Sequence, residues 1–392
     1  MAPNLKRSNA LIIIYFVLAF FYFSQSFIWG EANSIGRPAL IFIMLVNTIY
    51  MGKCIFNHRV TTNFSIAITI FVIINFAYYV FGDCFLHNVP DRKSFQIFKT
   101  VLLSTTCFFP LYYWTYKGYR LELLSGILAL AYFLVIYISG QNNAKDINTV
   151  DNMGYYYLNF IPFLILIKGH VYIKIVLCLV LNVLIISCAK RGAIITAALV
   201  DVIFFYYIYQ SNQLKNGLLT KIWILMLICC AAIYAWQRFQ SNSFVLERFI
   251  ALQQGSSSGR DIIYANLWNN WSLKYDIIQQ IFGGGFCKSP QFNNGLFAHN
   301  DWLELLIDLG LVGIISYVFV IVNMLKLSYL AVTKSSKYCI LIISSIWFAK
   351  TLFSMSFLDE NNFILMLLLG VMAVKTKREK YETKKISLGQ CS

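Results

Sequence analysis

The sequence predicts an all-α fold: a polytopic integral membrane protein with about twelve transmembrane helices and one large external loop. Two observations carry this. Of the 392 residues, 59% are hydrophobic and only 12% are charged, too few charges to cover water-exposed domains of this length. The apolar residues also recur in runs of about 18 to 22, the length that crosses a bilayer core.

The first run, Ala10 to Trp29, follows Lys6 and Arg7. It is longer than the core of a cleavable signal peptide, and no small-residue cleavage site follows, so it reads as the first membrane helix. Further apolar segments centre on 38–56, 64–82, 96–116, 120–139, 154–168, 170–188, 192–210 and 219–237, and then on 302–325, 338–357 and 361–374. The expected organisation is helices one to nine over 1–237, an external loop with short helices over 238–301, helices ten to twelve over 302–374, and a basic tail over 375–392.

An even number of crossings leaves both termini on one side. Lys6, Arg7 and the tail KTKREKYETKK assign that side to the cytoplasm, because cytoplasmic segments are enriched in Lys and Arg. Alternate connections agree. Lys53 and Arg59, Lys117 and Arg120, Lys168 and Lys174, Lys215 and Lys221, and Lys326, Lys334 and Lys337 fall on the cytoplasmic side, whereas Glu31, Asp83, Asp91, Asp146, Asp151, Asp359 and Glu360 fall outside. The polar stretch 238–301 then faces outward.

The net charge of +15 is scattered over helix ends instead of gathered on one face, which fits membrane topology and not a nucleic-acid partner. Ten cysteines sit mostly inside apolar runs with no C-x-x-C pair, and read as small core residues. No histidine, cysteine and carboxylate spacing suits a metal, and no cofactor is expected.

The polar stretch holds SSSGRDIIYANLW, FGGGF and AHNDWLELL. Ile263, Leu267 and Trp271 recur at i, i+4 and i+8, as in a short amphipathic helix on the membrane face, with Asp261 as its natural N-cap. Gly283 to Gly285 read as a turn, with close approach of backbone amides to a ligand as the alternative. Asn300 or Asp301 opens the next span, where Asp301 and Glu304 have capping-box spacing, and Asp308 extends an acidic strip along that helix.

Three residues carry the most chemistry: Arg191, Arg260 and His299. Arg191 lies at an outer helix start, where basic residues are scarce; its planar fork suits bidentate phosphate binding, and a snorkelling headgroup contact is the alternative. Arg260 is a second phosphate ligand or a partner of Asp261. His299 has a near-neutral intrinsic pKa suited to proton transfer, or serves as a structural turn residue. Asp201 and Lys350 lie within apolar segments at similar depth, and are expected to pair or to line one polar cavity.

These residues resemble the bacterial O-antigen ligase and polymerase superfamily of inner-membrane, polysaccharide-assembling proteins. The resemblance rests on KRGAII, with Lys190 where the family has serine, on SGRDIIYANLW, on GGGF, and on HNDWLELLIDLGLVGIISY, in the expected order. It implies a multi-pass glycosyltransferase of the bacterial inner membrane, with both termini cytoplasmic, using an undecaprenyl-diphosphate-linked oligosaccharide. Arg191 and Arg260 would bind the diphosphate, His299 would orient or activate the acceptor hydroxyl, and Asp261, Asp301, Glu304, Asp201 and Lys350 would be accessory. The favoured activity is polymerisation of lipid-linked repeats, with a chain-length regulator and a flippase as possible protein partners alongside membrane lipids. The alternatives are ligation of finished glycan to lipid A core, as in lipopolysaccharide, and transport of a lipid-linked sugar.

Overall fold

A computed structural model of the chain describes residues 10–29, 36–57, 60–86, 92–143, 152–188, 190–211, 237, 250 and 259–389. The segment 219–237 of the sequence analysis lies outside them, apart from residue 237. The fold is all-helical. In chain order the helices are α1 Ala10–Trp29, α2 Arg37–Ile55, α3 Asn63–Leu86, α4 Arg92–Thr106, α5 Phe108–Tyr116, α6 Glu122–Asn143, α7 Met153–Leu158, α8 Ile161–Leu164, α9 Val171–Ser187 and α10 Arg191–Gln210. They continue with α11 Arg260–Asn269, α12 Ile277–Phe282, α13 Asp301–Leu330, α14 Lys334–Phe353 and α15 Phe363–Gly389.

Among the described residues, six helices are long and apolar enough to cross a membrane: Arg37–Ile55, Asn63–Phe81, Glu122–Gly140, Arg191–Gln210, Asp301–Leu330 and Lys334–Phe353. Ala10–Gln25 and Val171–Ser187 are shorter apolar helices. Their outward faces carry Ile14, Ile41, Leu130, Val202 and Ile315, all exposed. An apolar belt on helices of this length is what lipid contact requires and water contact penalises.

Two expected segments are divided, each beside a proline. The run 96–116 breaks at Cys107, between α4 and α5. Pro110 would place its ring against the Thr106 carbonyl in a continuous helix, so the chain restarts with Pro110 in the first turn of α5. The run 154–168 divides into α7 and α8, with Pro162 at the start of α8. The span expected at 302–325 is longer, reaching Leu330.

Packing places α13 against α3, α14 and α12, and α14 against α10, while α15 runs beside α5. Aromatic side chains fill the centre: Phe23 stacks on Phe363 with ring centroids 3.5 Å apart, and Tyr15 meets Trp114 edge to face. One buried polar cluster is partnered across helices. Asn47 of α2 accepts from the Tyr15 hydroxyl at 2.9 Å and donates to Thr106 Oγ1 at 3.1 Å, so buried polar atoms tie α1, α2 and α4 without an unsatisfied cost.

Helix α13 is bent at Gly310, whose φ of 62° and ψ of −155° are non-helical. The bend withdraws Ile307 and Asp308 carbonyls from their usual acceptor role within the helix. The amides of Gly284 and Gly285 replace the lost donors, at 2.8 and 3.1 Å. Backbone crosses backbone here: a Cβ at Gly310 would stand 2.5 Å from both Gly283 N and Ile281 O. The glycine run is therefore a crossing point whose amides are used inside the protein. A Gly310→Ala replacement is expected to lower stability by about 1–3 kcal/mol. Gly126, in open space on α6, should tolerate alanine with no loss, or a gain of up to about 1 kcal/mol. Thermal unfolding of the detergent-solubilised protein checks this; equal behaviour of the two variants would contradict the crossing.

Candidate functional site

The site forms where α10, α11 and the start of α13 approach the turn that joins α14 to α15. That turn, residues 354–362, is a polar node. The Lys350 ammonium, fully buried, contacts Asp359 Oδ2 at 2.5 Å and Asn362 Oδ1 at 2.7 Å. Glu360 receives Lys99 at 2.7 Å and the Thr100 hydroxyl at 2.9 Å. Asn361 accepts from the Tyr132 hydroxyl, and its carbonyl accepts from Asn159 at 3.1 Å. A loop so bonded to α14, α4, α6 and Asn159 holds the carbonyl of Phe353, one residue before it, in a fixed place.

Two donors meet at that carbonyl. Arg260 Nη1 donates to Phe353 O at 3.1 Å, and the Tyr155 hydroxyl does so at 3.2 Å. Tyr155 is itself flanked by cations: Lys190 Nζ lies 6.0 Å and Lys350 Nζ 5.6 Å from its ring centroid. Gly192 packs on the same pair, since a Cβ there would collide with the Tyr155 hydroxyl and Phe353 Cβ. This seats the start of α10, with Lys190 as its N-cap and Arg191 as its first residue, beside Arg260.

Arg191 and Arg260 each open a helix, α10 and α11. Neither helix has a side-chain cap: Lys190 and Gly259 stand at the N-cap positions and make no capping bond. Both arginines therefore accompany first-turn amides and the positive end of a helix dipole, the combination that favours an anion. Asp261 lies in the first turn of α11 and offsets part of that field. It is not the N-cap expected from sequence; Gly259 takes that place in a left-handed conformation with φ of 79°, which glycine adopts without the Cβ penalty.

His299 occupies the turn before α13 with φ of 53°, in the left-handed region where histidine is among the tolerated residues. Asn300 next to it caps the helix, accepting from the amides of Trp302 and Leu303 at 3.0 and 3.3 Å. The His299 side chain is exposed, yet close-packed protein dehydrates part of the ring. That dehydration, then the positive charges of Arg260 and Lys190, lower its pKa from 6.5 to about 4. Each disfavours a second positive charge, so the imidazole is neutral at pH 7 and keeps a nitrogen lone pair.

The three acids of α13 act as tethers. Asp301 accepts from the Tyr317 hydroxyl at 2.7 Å and from the Ser356 amide at 3.0 Å, binding α13 to the polar turn. Glu304 accepts from the Ala298 amide and the Ser289 hydroxyl. Asp308 accepts from the amides of Cys287, Lys288 and Ser289 at 3.1, 2.9 and 2.8 Å. Asp301 and Glu304 do not form the expected capping box, because Asn300 takes the cap and leaves both carboxylates to reach outward along the chain.

The expected pairing of Asp201 with Lys350 is corrected. Lys350 binds Asp359, while Asp201 accepts from Asn182 Nδ2 at 3.1 Å and Cys178 Sγ at 3.3 Å, both on α9. Similar depth brought the two together in the sequence reading, but they face different neighbours. Asp201 is thereby outside the site, ten residues along α10 from Arg191, or about 15 Å at helical rise. The stripe Ile263, Leu267 and Trp271 also turns inward, packing with Ala298, Ile307 and Leu303, so it fastens α11 to α13 instead of facing lipid.

Lys190 and Tyr155 were not singled out from sequence as site residues. Lys190 carried one usable signal, a second cation at a helix start where basic residues are scarce. Tyr155 sits in an aromatic run with no pattern to mark it. Among the described residues, no three His, Cys, Asp or Glu side chains gather where they would hold a metal ion.

No family model matches this chain, and no curated protein matches it. If Arg260 is one of the charges holding His299 neutral, Arg260→Ala should raise the His299 pKa from about 4 toward 6.5. An NMR titration of the labelled imidazole checks this, and an unchanged midpoint would exclude the electrostatic link.

Proposed function

We propose that the protein is a glycosyltransferase that polymerises lipid-linked repeat units, moving a growing glycan from undecaprenyl diphosphate to the next repeat at the outer face of a bacterial inner membrane. The observation that carries this reading is the approach of two cations from separate parts of the chain, Lys190 at the Tyr155 ring and Arg260 at the Phe353 carbonyl that Tyr155 also meets, with both charges lowering the pKa of His299. Arg191 joins them at the start of α10. The six long apolar helices are taken as part of a bundle of about twelve spans, with both termini cytoplasmic and His299 outside.

The chemistry follows from the charges. An acceptor sugar hydroxyl attacks the anomeric carbon of the donor, a new C–O bond forms, and the bond to the diphosphate oxygen breaks. The electron pair leaves with the diphosphate, where Arg260, Arg191 and Lys190 stabilise the growing negative charge. His299 accepts the hydroxyl proton. Free of ligand, the imidazole is a weak base. A bound diphosphate offsets the positive field of Arg260 and Lys190, and so raises the basicity of His299 when the substrate is in place.

Asp301 and Lys350 serve this site as positioning residues. Lys350 fixes the turn that holds the Phe353 carbonyl, and Asp301 ties α13 to that turn through Ser356. Glu304 orders the segment that leads into His299 through Ala298.

The test is polymer formation from purified lipid-linked repeat as the sole glycan substrate. Arg260→Ala, Arg191→Ala and His299→Ala should each lower the rate by about a hundredfold or more, with folding checked by thermal unfolding. Full activity in all three would sink the assignment. In a second reaction supplied with lipid A core, transfer to that core with no polymer formed in either reaction would replace polymerase by ligase.

A further inference from the structure

A second charged site lies at the other end of the bundle. A cavity of about 790 Å³ opens between the α5–α6 turn, the α8–α9 turn, the far end of α10, the start of α14, and Lys375 of α15. Three helices connect it to the site above and show the separation. Along α10, Tyr207 of the cavity is sixteen residues from Arg191, or about 24 Å at helical rise. Ser335 and Phe353 stand at opposite ends of α14, and Lys375 lies beyond Asn362 by nearly four turns of α15.

The wall of the cavity is strongly basic. Arg120, Lys168, Lys174 and Lys375 line it, against a single lining carboxylate, Glu122. Membrane topology alone accounts for lysines at these helix ends, but such residues ordinarily extend into water or headgroups. Lys174 does the reverse. It is 1% exposed, and its ammonium lies 5.4 Å from the Tyr207 ring centroid. Lys174 thereby adds its charge to the wall of a hollow that has room for a ligand.

We propose that this cavity binds a phosphate group carrying two negative charges, borne either by a lipid headgroup or by a soluble phosphate compound. Four cations on separate elements can surround a compact dianion from several directions. Arg120 offers a bidentate fork, and the lysines supply point charges on flexible stems. Lys174 and Tyr207 form the inner end, Arg120 and Lys168 the exposed rim. Occupancy would link the α5–α6 and α8–α9 turns to α10 and α15. The site is independent of the glycosyltransferase reading, because it shares none of that site's side chains.

The test uses full-length protein carrying Arg260→Ala, so that the other basic site is weakened. Inorganic phosphate is titrated into protein held in phosphatidylcholine nanodiscs, against chloride at matched ionic strength, and the thermal midpoint is read. A parallel arm replaces part of the phosphatidylcholine by phosphatidic acid. A saturable rise with free phosphate identifies a soluble ligand, and a rise confined to phosphatidic acid identifies a lipid headgroup; either supports the site. Adding Arg120→Gln and Lys168→Gln, both at exposed positions, should weaken the response by about tenfold or more while leaving the ligand-free midpoint unchanged. No rise with either probe, or a rise undiminished in that variant, would overturn the proposal. If the double replacement shifts the ligand-free midpoint, Lys168→Gln alone provides the same comparison.

Discussion

The buried contact of Lys350 with Asp359 is the constraint on which the site depends. An ammonium fully withdrawn from solvent must be met by charge and hydrogen bonds, because removing either partner strands the other at a cost of several kcal/mol. Asp359 at 2.5 Å and Asn362 at 2.7 Å meet it. They do so from a turn that would otherwise be a simple connection between α14 and α15. Glu360, Asn361 and Ser356 then fasten the same turn to α4, α6, Asn159 after α7, and α13. The Phe353 carbonyl is fixed by this network, and Arg260 and Tyr155 are fixed by the carbonyl.

The second structural element is the bend in α13. Gly310 interrupts the helical hydrogen bonding, and Gly284 and Gly285 enter the gap with their amides. Above the bend, Asp301, Glu304 and Asp308 each hold a different piece of backbone. The result is a short polar segment ordered from beneath by one helix. His299 ends that segment in a left-handed turn and faces the field of Arg260 and Lys190. Carboxylates that read as an acidic strip are thus spent on building the site, and the cations remain as its chemical character.

Much of the fold was legible because helix length and apolarity are local properties. The segments 38–56, 64–82, 120–139, 192–210 and 338–357 each correspond to a long apolar helix in the structure, with ends shifted by a few residues. The divisions at Cys107 and near Pro162 were also legible in principle, from the carbonyl clash that proline imposes. The partner of Lys350 was not. Sequence gives the depth of a charge along its helix but not the direction it faces, and Asp201 at matching depth proved to bond with Asn182 and Cys178. Asp359 was visible only as an outer-loop acid.

The site was legible in part. Arg260 and His299 stood out as charged or titratable residues in a polar stretch, and the electrostatics bring them together. Tyr155 did not stand out, because it is one aromatic among many and matters only through what packs around it. The central claim is that Arg260 and Lys190 add their positive field to the dehydration that lowers the basicity of His299, and that an anion bound beside them would offset that field. Titration of the His299 imidazole by NMR, with and without saturating pyrophosphate, tests it most directly. A pKa that rises from about 4 when pyrophosphate is bound is the predicted result; a midpoint that stays put, or falls, would contradict the account.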